Sequence, residues 1–161
     1  MINRLIDIIG KEAALFESFL DLSEQQQQML VNNDVEGLNR ITDLQREKLV
    51  ESQILNRQRE ELVEQIKLAN SVEGDLNITR LLQMVDQDQA HQLVKLKNLI
   101  LSLNEKITAT RNQNATLLNR SREYIAKTME MLSRINAPVG AYAPNRAQQE
   151  RLANVAVDRR A

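Results

Sequence analysis

The chain has 161 residues, enough for one domain. Its apolar fraction is 42% but its aromatic fraction only 2%, with four Gly, two Pro and no Cys. That composition argues against a loop-rich or β-rich fold and leaves no disulfide or thiol chemistry. The net charge of −1, with cations and anions almost equal in number, argues against a general attraction to nucleic acid or anionic membrane. No apolar run approaches the roughly 20 residues of a membrane span. Met1–Gly10 carries Arg4 and Asp7 within its apolar pattern, unlike a secretory signal. A soluble, cytoplasmic protein is expected, with an aliphatic core.

The first helix is predicted from about Ile2 to Val31. Ile2, Leu5, Ile9, Phe16, Phe19 and Leu30 follow three-four spacing, and Ile8, Leu15, Leu22 and Met29 form a flanking row. Gly10 inside it costs roughly 1 kcal/mol relative to Ala. Asn32, Asn33 and Asp34 break the pattern. Asn33 with Glu36 has capping-box spacing and opens a second helix, predicted over about Val35 to Ala69. Leu38, Ile41, Leu49, Leu55, Leu62, Ile66 and Ala69 mark its buried side. Arg57, Arg59, Glu60, Glu61, Glu64 and Lys67 read as its solvated face. So short a join between two long helices forces an antiparallel hairpin.

Asn70 to Leu76 reads as a loop, with Gly74 and Asp75 as turn residues. Asn77 to Val85 suits a short helix. Asp86 or Asp88 then caps a long helix over Gln87 to Ile135, with Gln89 placed to complete the box from Asp86. Its seam runs from Leu93 through Leu103, Asn114 and Tyr124 to Ile135 at unbroken three-four spacing, with a polar waist between Asn104 and Thr116. A second stripe, Leu118, Ile125, Met129 and Leu132, joins it beyond the waist. At 1.5 Å per residue this helix is on the order of 70 Å long, some 20 Å longer than its partners. Its far end therefore lacks a full set of neighbours, and its apolar residues there mark either a binding face or a dimer seam, unless the hairpin shifts along to cover it.

Pro138 and Gly140 end the helix. The sequence thus divides into an all-α domain, 1–135, expected as an elongated antiparallel bundle or coiled coil of three long helices plus a short one, and a flexible C-terminal tail, 136–161. Around Leu152 and Val155 the tail has a weak amphipathic pattern, too short to be a stable helix alone in water but able to fold on a partner.

No catalytic constellation is legible. His91 is the only His, and Asp86 and Asp88 are explained by helix capping. There is no Gly-rich phosphate loop, so no enzyme and no metal or other cofactor are expected. The composition points to a binding or scaffolding protein.

The order of parts resembles the FlgN family of bacterial flagellar export chaperones. Leu38-Asn-Arg40-Ile41-Thr42 opens the second helix as in that family, with Leu49, Leu55 and Arg59 at its intervals. Asn114-Ala-Thr-Leu117-Leu118 is similar to its Asn-x-x-Leu-Leu segment, and Pro138 and Tyr142 follow the long helix. Gln45 stands where the family tends to have Lys, and Tyr142 is followed by Ala-Pro rather than a Gly-rich segment. The resemblance implies a cytosolic chaperone that binds the hook-associated proteins FlgK and FlgL and delivers them to the flagellar type III export apparatus. It also implies that Tyr142 docks the loaded chaperone on the export gate protein FlhA. The bottom-up counterpart is a client helix laid on Leu118, Ile125, Met129 and Leu132, with the tail folding over it through Leu152 and Val155. A homo-oligomeric coiled-coil scaffold and an export chaperone with another flagellar client are the alternatives.

Overall fold

The computed structural model describes residues 1–135, and all of its elements are helices: α1 (Ile2–Asn32), α2 (Val35–Ala69), α3 (Ile78–Gln83) and α4 (Gln87–Ile135). The chain divides into two compact units, Met1–Arg120 and Ser121–Ala161. The first is an all-α bundle built on the α1–α2 hairpin.

The hairpin turn differs from the capping expectation. Asn33 adopts a left-handed conformation with φ of 54° and closes α1. The Asp34 N–H then reaches back to the Met29 carbonyl at 2.9 Å. The cap of α2 is Asp34, whose carboxylate accepts from the Gly37 N–H at 2.9 Å. Asn can occupy the left-handed region at modest cost, so it ends the first helix while the next residue, in extended backbone, starts the second. Tight approach falls at Gly37 rather than Gly10. A Cβ at Gly37 would collide with the Met29 sulfur and the Asp34 carboxylate, whereas Gly10 has open space beside it.

The bundle is fastened at the end away from this turn. Leu5 and Ile8 of α1, Leu62 and Ile66 of α2, Leu81 of α3 and Leu93 of α4 form one buried cluster. The short helix α3 is the plug that completes it. Asn77 caps α3 through the Arg80 N–H at 3.0 Å. Arg80 in turn donates to the carbonyls of Glu73 and Asp75, fixing the preceding loop. Asp86 caps α4 as the box pattern predicts: the Gln89 N–H donates to Asp86 Oδ1 at 2.8 Å, and the Gln89 side chain accepts from the Asp86 N–H at 3.4 Å.

Two pairs of side chains fix the direction of α4 against α1. Asn3 meets Gln89, and Gln27 meets Gln113, each pair separated by 86 in sequence. The two helices therefore run parallel and stay in step, with α2 antiparallel to α1. In this register the end of α1 at Asn32 lies level with Leu118.

The buried side of α2 is narrower than its sequence suggests. Ile41, Leu62 and Ile66 are buried and Leu38 and Leu55 half-buried, but Ala69 is exposed and Leu49 is 52% exposed. Between positions 44 and 56 apolar residues occur on several sides of α2, with no continuous stripe to face a core, and Leu44, Val50 and Ile54 are exposed as well. Arg59 departs from its expected place on the solvated face. It is half-buried and binds Glu12 of α1 at 2.9 Å, an ion pair that joins the arms of the hairpin.

Candidate functional site

The seam of α4 is covered as far as the bundle extends. Leu93 and Leu103 are buried, and Leu96, Ile100, Ile107, Thr110 and Leu117 are half-buried. The polar waist is built around Asn114, which is only 5% exposed. Its amide nitrogen donates to the Ser23 carbonyl at 2.8 Å and to Gln26 Oε1 at 3.2 Å. Ser23 is buried too, and its hydroxyl donates to its own helix at the Phe19 carbonyl. Asn114 Oδ1 has no partner among the described residues. A half-satisfied amide in an apolar seam specifies register more than it adds stability, because any slip would strand its donor as well as its already unpaired oxygen. The substitution Asn114→Asp keeps the shape, replaces the donor and adds a charge. It is expected to destabilise the bundle by about 2 kcal/mol at pH 7. Burial raises the folded-state pKa of a carboxyl at this position above its unfolded value near 4, so the loss should shrink as pH falls through that range. Urea unfolding at neutral and acid pH checks both statements.

Past Ser121 the apolar pattern of α4 continues. In the unit that begins at Ser121, every described residue after Ser121 is exposed. Ile125 is 59% and Met129 63% exposed, and Leu132 is exposed beside them. Leu118, at the end of the first unit, is exposed as well. Tyr124, Met131 and Ile135 add to the apolar surface of residues 121–135. These three belong to the seam rather than to the second stripe. Their exposure means that the two stripes present one broad face, about 160° of helix arc from Met131 round to Met129. Leu152, Val155 and Tyr142 lie outside the described residues.

A second apolar surface was not legible in the sequence. A cleft of about 600 Å³ lies in the first unit. Ile9, Leu15, Phe16 and Phe19 of α1 and Ile100 and Leu101 of α4 line its apolar side, and Ser52, Gln53, Asn56 and Arg59 of α2 line the other. The cleft stays open because α2 presents small and polar side chains where its neighbours present aliphatic and aromatic ones. Periodicity assigns Phe16 and Phe19 to a buried stripe. It contains no signal that the facing helix will fail to fill the space.

Among the described residues no group of His, Cys, Asp and Glu could hold a metal ion, and no helix is long and apolar enough to cross a membrane. His91 is an exposed residue of α4.

The described residues thus form helices, with a broad apolar face on α4 beyond Ser121. The FlgN protein family model matches residues 1–150. The chain belongs to the FlgN family, a family of flagellar export chaperones. No curated protein and no solved structure gives a significant match.

Proposed function

We propose that the protein is a cytosolic chaperone for the hook–filament junction proteins FlgK and FlgL, and that it delivers them to the flagellar type III export apparatus. The observation that carries this reading is the exposed apolar face of α4 in a chain of an export-chaperone family. An amphipathic client helix laid along Leu118, Ile125, Met129 and Leu132 removes apolar surface of both partners from water, and a client so covered cannot associate with its assembly partners prematurely. Residues 136–161 act as a client-binding and gate-binding tail attached to the helical domain of residues 1–135. Leu152 and Val155 close over the client, and Tyr142 docks the loaded complex on FlhA.

Calorimetric titration of purified FlgK and FlgL into the full chain, and into a version ending at Asn136, tests the reading. Binding by the full chain that weakens on truncation is expected. Unchanged binding after truncation would move the whole site onto the helices and remove Leu152 and Val155 from it. Absence of binding by the full chain would overturn the client assignment.

One observation favours a second occupant of the same face. Tyr124, Thr128, Met131 and Ile135 continue a heptad seam while exposed, as in a helix awaiting an identical partner. Sedimentation velocity of the free protein distinguishes a homodimer that buries this seam from a monomer that keeps it for clients.

A further inference from the structure

The charges around the face of residues 121–135 are not evenly distributed. At 100° per residue, Arg122 lies about 20° beyond Met129 on one edge of the apolar arc, and Lys127 about 40° beyond Met131 on the other. Arg122 also takes a place in the three-four row itself, between Leu118 and Ile125. Glu123 and Glu130 fall on the opposite side of the helix, roughly 160–180° from the centre of the arc. Glu130 is engaged there by Arg134 at 2.6 Å. Arg122 and Lys127 form no ion pair among the described residues, and both are exposed.

We propose that this face selects an amphipathic helix whose apolar stripe is bordered by carboxylates. The inference rests on the helix-docking reading above and names the chemistry of the occupant. Cations at the two edges of an apolar seam correspond to the flanking positions of a coiled coil, where charge sets partner choice and orientation. A helix with Glu or Asp beside its apolar row would meet Arg122 on one side and Lys127 on the other. A helix with Lys or Arg in those places would set like charges together.

An anionic lipid surface is the other partner a basic-edged apolar arc could take. The face fits it poorly. Residues 121–135 hold three cations against two anions, with no Trp or Phe. Ser121 and Thr128 lie near the middle of the arc, and the Thr128 hydroxyl is already committed to the Tyr124 carbonyl at 2.9 Å.

The test compares the full chain with the double variant Arg122→Glu, Lys127→Glu, using purified FlgK as the probe and titrating at low and high salt. Both positions are exposed, and an unchanged helical circular dichroism signal confirms that the variant is folded. Binding is expected to weaken about tenfold at low salt, and the difference should largely vanish near 0.5 M salt. Wild-type binding that the double variant matches at low salt would overturn the inference while leaving the docking face in place. Failure of the wild-type chain to bind FlgK would remove the docking reading and the inference with it. Binding to phosphatidylserine vesicles that the variant loses while client binding is kept would assign the two cations to a membrane surface and overturn the inference.

Discussion

Leu93→Ala is expected to lower the stability of the protein by about 3 kcal/mol. Leu93 is 1% exposed and lies in the one cluster that gathers all four helices. Its side chain is the first of the α4 seam to meet Leu5, Ile8, Leu62, Ile66 and Leu81. Truncation removes its transfer free energy and leaves a cavity that four rigid helix segments cannot collapse to fill. For a cooperative unit of about 120 residues, a loss of 3 kcal/mol corresponds to a fall of roughly 10 °C in Tm. Thermal unfolding followed by circular dichroism reads it directly. A shift below about 3 °C would mean that the cluster does not hold α4 to the hairpin. Leu132→Ala supplies the contrast. Leu132 is exposed on a helix, so its truncation is expected to change stability by less than about 0.5 kcal/mol.

The contrast also marks what could be read from the sequence. Three-four spacing without Pro or Gly dictates α4 over its whole length, and the Asp86–Gln89 box dictates its start. Both are local, and local physics decides helix existence and ends. The same holds for the rows of α1, where Leu5, Ile8, Leu15, Leu22 and Leu30 are all buried. The errors are non-local or conformational. Asn33 and Asp34 are both good capping residues, and only the backbone at the turn decides that Asn33 goes left-handed and Asp34 caps. Arg59 looks like one of several surface charges until Glu12 of the other arm stands opposite it. Leu49 reads as part of the buried side of α2 yet has no neighbour to bury it. Periodicity shows which residues share a face. It does not show whether another element arrives there.

That limit applies most strongly to the apolar end of α4, where the pattern alone allows a covered face, a dimer seam or a binding site. Residues 122–135 are exposed, and substitution separates the three readings. Replacing Leu118, Ile125, Met129 and Leu132 together by Gln is expected to weaken client binding by at least about 100-fold. All four are exposed, so the free protein loses little buried contact, and Gln sustains a helix nearly as well as Leu. Stability should therefore stay within about 1 kcal/mol of wild type by urea unfolding, and Tm should barely move. The two measurements together separate a binding face from a structural one. A large fall in stability would mean that these side chains are covered in solution by some part of the free protein. Unchanged stability with unchanged FlgK and FlgL affinity would mean that the clients dock elsewhere. The cleft lined by Phe16, Phe19, Ile100 and Leu101 would then be the next surface to substitute, because α1 and α4 leave apolar side chains open to a partner there as well.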